Sequence, residues 1–97
     1  MLSQVYYLLR SKRDGKYLVA YPRQDSESTT RQGFLLLFQE HYDALSYLNA
    51  HAASVAEQFA VESIAGNHVG ALLERWNFTG VGIVQEPLLP RVEFLTR

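Results

Sequence analysis

The sequence predicts an α+β domain (α/β in the wider sense): a mixed sheet of five to six strands in the order ββ-loop-βαβαββ, with two helices mainly on one face. Three observations predict it. Short runs rich in leucine, β-branched and aromatic residues recur along the chain. Two segments between them carry apolar residues at helical spacing. The length of 97 residues is enough for one core and leaves no room for a second, so residues 1–97 are read as a single domain.

The elements follow in order. Val5-Tyr6-Tyr7-Leu8-Leu9 and Tyr17-Leu18-Val19-Ala20-Tyr21 flank Asp14-Gly15, a short turn signal, and predict a hairpin over residues 4–21. Pro22 stops its second arm. Residues 22–32 contain no large apolar side chain and are expected to form a flexible polar loop. Gly33 to Phe38 is apolar at every position after the glycine, the pattern of a central strand buried on both faces. Residues 40–53 predict a helix whose inner face carries His41, Ala44, Leu45, Leu48 and Ala52. Phe59 to Ile64 is a further strand, and Asn67 to Asn77 a second helix with Val69, Leu72, Leu73 and Trp76 inward. Gly66 or Asn67 is expected to cap its start, and the stretch from Asn77 to Gly80 tolerates the left-handed conformation that ends helices. Val81 to Val84 and Val92 to Leu95 complete the strands, with Pro87 and Pro90 bracketing the loop between them.

Composition narrows the function classes. Nine Lys and Arg face ten Asp and Glu, for a net charge of −1, which excludes a globally basic nucleic-acid binder. The absence of Cys excludes disulfides, a thiolate metal site and a Cys nucleophile. No apolar run has the ~18 residues of a membrane helix, and the first residues do not have the pattern of a secretion signal. A cytoplasmic location without membrane association is therefore expected. The near-neutral total hides an asymmetry: residues 1–31 hold six basic and three acidic side chains, net +3, and residues 32–97 hold three basic and seven acidic, net −4.

Two helices on one face would leave the other face of a doubly apolar sheet uncovered. That points to a second subunit or a protein partner as its cover. A two- or four-residue hairpin loop places Tyr6, Leu8, Arg10, Lys12, Tyr17, Val19 and Tyr21 on one face; a three-residue loop with Gly15 as a bulge breaks that grouping. Tyrosines interleaved with basic side chains suit an interface, so Tyr6, Arg10, Lys12, Tyr17 and Tyr21 are the candidate interface or ligand residues. The ordinary alternative is a solvated turn whose charges blunt a sheet edge. Nucleic acid is disfavoured as a partner because the rest of the chain is acidic.

Chemical motifs are sparse. Gly66-Asn67-His68 lies at a strand-to-helix turn and is a generic anion-binding candidate, but the chain has neither a dinucleotide fingerprint nor a Walker loop. His41, His51 and His68 do not have metal-ligand spacing, and no metal or other cofactor is expected. Ser63 is not in a nucleophile elbow, and no set of residues identifies an enzyme. Glu62 and Glu93 are read as strand carboxylates, and Trp76 as core.

The runs Val5-Tyr6-Tyr7-Leu8-Leu9, Phe38-Gln39-Glu40-His41-Tyr42-Asp43-Ala44-Leu45-Ser46-Tyr47-Leu48 and Val61-Glu62-Ser63-Ile64 resemble an uncharacterised family of small proteins from cyanobacteria and plastids. The chain departs from that pattern where Phe38-Gln39-Glu40 replaces a simple Phe-Glu, and in having no Cys in the second helix. The order of elements ending at Ile83-Val84-Gln85-Glu86-Pro87 is also similar to the N-terminal domain of SseB-type proteins. Both resemblances imply a fold, and neither implies a catalytic residue. The expected function is a non-catalytic protein-binding or assembly module acting as a homo-oligomer. The alternative is a regulatory domain binding a small ligand, phosphate or nucleotide.

Overall fold

A computed structural model describes residues 4–21 and 33–96. The expected loop at 22–32 lies outside the described residues. Six strands and two α-helices follow the predicted order: β1 (Val5–Ser11), β2 (Val19–Ala20), β3 (Phe34–Phe38), α1 (His41–His51), β4 (Phe59–Ala65), α2 (Gly66–Trp76), β5 (Gly80–Glu86) and β6 (Arg91–Thr96), with a 3-10 segment at Ala53–Gln58. The sheet is mixed, ordered β4-β1-β3-β5-β6, with β2 also pairing with β3. β3 and β5 are parallel, and the pairs β4–β1, β1–β3 and β5–β6 are antiparallel. The α+β mixed sheet is thus as predicted.

The placement of the helices is not. α1 and α2 lie on opposite faces, where the sequence reading put both mainly on one. Leu8, Leu35, Leu37 and Val81 form one core with Leu73 and Phe78, against which Val69, Leu72 and Trp76 of α2 pack. Leu9, Leu36, Phe38 and Val84 form the other with Ala44 and Leu48 of α1. The topology explains this. α1 carries the chain from β3 across β1 to β4, and α2 carries it back from β4 across β1 and β3 to β5. Crossovers between parallel strands keep a right-handed sense. Two crossovers of one hand that travel in opposite directions must pass over opposite faces. The supposed uncovered face is therefore covered, and all five β3 side chains are buried.

The hairpin also has a feature that pattern reading missed. Arg10 sits opposite Tyr17, Ser11 N–H donates to Lys16 O at 2.8 Å, and Gly15 N–H donates to Ser11 O at 2.9 Å. The loop is therefore the four residues 12–15, which keeps the two groups of side chains as predicted. The returning arm then reverses at Leu18. Its N–H donates to Leu9 O at 2.9 Å while its carbonyl accepts from Leu36 N–H at 3.2 Å. Val19 and Ala20 then pair with β3 instead of continuing along β1. Residues 17–20 thus fill the fork where β1 and β3 diverge. The fork saturates backbone groups that would otherwise be buried without partners.

α1 is rotated from its predicted face. Ala44 and Leu48 are buried and Tyr47 packs on Phe38, but Leu45 is 42% exposed and Tyr42 lies outward. At the start of α2 the capping residue is Ala65, with no side-chain cap, and Gly66 is already helical. β4 runs straight into α2, so a side-chain cap has no loop to sit on, and Gly66 N–H instead donates to Gln4 O at 2.6 Å. Asn77 adopts the left-handed conformation, φ 59°, as the sequence implied. Phe78 N–H then donates to Leu73 O at 2.9 Å, and Thr79 N–H to Gly33 O at 2.9 Å, which delivers β5 beside β3.

Two glycines test this packing in opposite directions. A Cβ on Gly80 would run into the backbone carbonyl of Leu95, so Gly80→Ala is expected to cost ~2–3 kcal/mol by forcing β5 and β6 apart. Gly70 lies in α2 with open space around it, so Gly70→Ala is expected to stabilise by about 0.5–1 kcal/mol. Urea denaturation of both variants checks the pair.

Candidate functional site

The sequence-predicted interface residues fall into three environments. Tyr6 and Tyr17 pack against the core beneath α2. Tyr17 meets Trp76 edge to face, with ring centroids 5.1 Å apart, and Trp76 stacks on Phe78 at 6.0 Å. These tyrosines therefore serve largely as inner wall. Arg10 is tied to its own hairpin. Its Nε–H donates to Gly15 O at 2.9 Å, its guanidinium lies 5.0 Å from the Tyr17 ring centroid, and it faces Glu62 at 3.7 Å. Lys12 is exposed near the hairpin tip with Arg13 and Lys16. Tyr21 is 53% exposed and its ring packs beside Gly33. Of the five, Arg10 and Tyr17 are in direct contact, Tyr6 and Tyr17 are half-buried against the α2 side, and Lys12 and Tyr21 are exposed.

The tip has its own electrostatics. The Asp14 carboxylate accepts the Lys16 N–H at 3.0 Å, and that bond holds its pKa below the ordinary aspartate range. The fold thus favours the charged form. Its contribution is fully present above the ordinary aspartate range and fades as pH falls through the depressed value.

Gly66, Asn67 and His68, expected as a strand-to-helix turn, are the first residues of α2 itself, and of the three His68 borders a groove between β4 and α2. Ile64, His68, Ala71, Leu72 and Arg75 line it, and it has a volume of about 280 Å³. His68 and Arg75 are seven positions apart, or ~10 Å along the helix, and bracket an apolar floor. Sequence reasoning found His68 but missed Arg75. The signal was available in the i, i+7 spacing, which puts both on one face of α2.

Other histidines have packing roles. His41 meets the edge of Tyr7, and His51 lies against Tyr47 with Nε2 at 2.8 Å from the Pro87 carbonyl oxygen. Burial pushes the Tyr47 phenol pKa up. Glu93 accepts a hydrogen bond from Gln85 Nε2 at 2.8 Å. Among the described residues no three metal-ligating side chains converge, and no helix is long and apolar enough to cross a membrane.

The second surface lies at the far edge of the sheet. β6 pairs with β5 alone among the described residues. Phe94 is 38% exposed and Leu95 44%, while Leu88 and Leu89, in the turn before β6, are 61% and 71% exposed. The Phe94 ring contacts Phe34 edge to face at 5.2 Å. Composition gave no hint of this cluster, because its residues look like ordinary strand and turn.

No family model, curated protein or solved structure matches the chain. Its functional reading therefore rests on these surfaces.

Tyr17→Ser is expected to cost about 2 kcal/mol by removing an aromatic wall from the α2 side. Tyr21→Ser is expected to cost less than ~1 kcal/mol, as befits an exposed ring. Thermal and urea unfolding separate the two. In an NMR titration the Asp14 midpoint is expected below that of an unstructured peptide, and breaking the turn with Gly15→Val should return it to the peptide value.

Proposed function

We propose that this protein is a non-catalytic assembly module that acts in the cytoplasm as a homo-oligomer, through the open edge of β6. One observation carries the reading. The outer edge of β6 has no strand partner among the described residues, and its apolar side chains Phe94 and Leu95 are exposed beside Leu88 and Leu89. An edge strand of this kind is a template for another strand. Its own charges, Arg91 and Glu93, are of opposite sign and blunt it little. Because both sheet faces are covered, association is expected at the edge and not through a face.

A second reading has one observation in its favour. His68 and Arg75 border the same groove, so each of its ends has a side-chain N–H donor for an anion. Phosphate titration followed by thermal unfolding tests it, with a concentration-dependent rise in Tm expected if an anion binds.

Sedimentation velocity across a concentration series tests the first. The unaltered chain is expected to sediment at a multiple of its monomer mass. Phe94→Glu combined with Leu95→Lys should reduce it to a monomer while far-ultraviolet circular dichroism stays unchanged. An unaltered chain that remains monomeric throughout the series overturns the reading.

A further inference from the structure

We infer that the surface receiving β6 is the β4 edge and the groove beside α2 of a second copy of this chain, so that copies join head to tail. The inference rests on the assembly reading above and names the acceptor that it lacks.

The sheet has two ends. β4 closes one and β6 the other, and each pairs with a single neighbour among the described residues. β4 runs parallel to β3 and β5, because it is antiparallel to β1 and β1 is antiparallel to β3. β6 is antiparallel to β5 and so runs opposite to β4. A second copy placed as a continuation of the sheet therefore brings its β6 antiparallel to β4. In that arrangement the α2 faces of the two copies continue one another.

The side chains agree with this placement. Glu93 lies opposite Ile83, and Leu95 opposite Val81, so both project on the α2 face of the sheet. Ile64 belongs to the same face at the other end. The incoming strand thus offers an acid and an aliphatic side chain, two positions apart, on the side where the receiving edge has its apolar groove and the Arg75 guanidinium. Arginine is charged at any relevant pH and binds a carboxylate through a planar fork. The one acid on the α2 face of β4, Glu62, already faces Arg10 at 3.7 Å and repels Glu93 less for that reason. A strand also fits the groove better than a lone phosphate, which would meet Arg75 and leave Ile64 and Leu72 wet.

A head-to-tail contact makes an asymmetric prediction. Glu93→Arg with Leu95→Lys disables the donor edge and leaves the acceptor intact. Ala71→Glu with Arg75→Glu disables the acceptor and leaves the donor intact. All four positions are exposed, and circular dichroism checks that both variants fold. Sedimentation is expected to show each variant alone as a monomer. An equimolar mixture should form one wild-type junction per pair and sediment at twice the monomer mass, without larger species. If the acceptor variant assembles like the unaltered chain while the donor variant is a monomer, β6 meets β6, and the acceptor assignment fails with the assembly reading intact. A monomeric unaltered chain overturns both. A mixture that stays monomeric while inorganic phosphate raises the Tm, an effect lost in the acceptor variant, gives the groove to a small anion and overturns the inference.

Discussion

The constraint on which the structure depends is the burial of β3. Phe34 to Phe38 carry large apolar side chains on both sides of one strand, and all five are buried. Each such side chain stabilises the fold by ~1.5–3 kcal/mol only if water is excluded from its own face. The sheet must therefore be covered twice. The described residues have two α-helices for the purpose, and they reach opposite faces only because the crossovers run in opposite directions across the sheet. The position of β1 between β4 and β3 makes that possible. It holds β4 away from β3, so that α1 must travel outward and α2 must travel back.

How much of this was legible in the sequence depends on the range of the interaction. Local signals served well. The β3 run, the inward positions Val69, Leu72, Leu73 and Trp76 of α2, and the left-handed Asn77 follow from periodicity and backbone preference within a few residues. The face assignments of the hairpin also held, because a four-residue loop has the same parity as a two-residue one. Long-range choices were not legible. Nothing within residues 59–65 says that they pair with β1, and without that pairing the direction of each crossover is unknown. The helix faces were misplaced for that reason. The Leu18 reversal was hidden likewise, since Tyr17 to Tyr21 reads as one continuous strand until β3 competes for its second half.

The candidate site was legible in pieces. The tyrosines of the hairpin were identified as a group, but their surroundings depend on which face α2 covers, and Tyr6 and Tyr17 lie half-buried on that face. His68 was noticed because of its turn, whereas Arg75 acquires meaning only once α2 lies against β4. The exposed apolar cluster on β6 has no motif at all. With both faces closed, the sheet's two edges, β4 and β6, each pair with one neighbour among the described residues, and their side chains differ in charge and shape in a way that composition averages away.

The pairing of β1 with β4 also orders events in time. Val5 pairs with Ala65 and Ser11 with Phe59, 60 and 48 positions along the chain. As the chain is synthesised, its first strand emerges with Leu8 and Leu9, destined for opposite cores, and has no edge partner until β4 follows much later. Neither core can close before then, because both also need side chains of β4 and β5: Ile64 and Val81 in one, Phe59, Val61 and Val84 in the other. The local pairings among the described residues are the turn that sets Arg10 opposite Tyr17, the short β2–β3 pair and the β5–β6 hairpin. Folding by such distant contacts is slow relative to helical proteins of the same size. β1, made well before β4, is thus among the last strands to be secured, and its apolar side chains need protection during that wait.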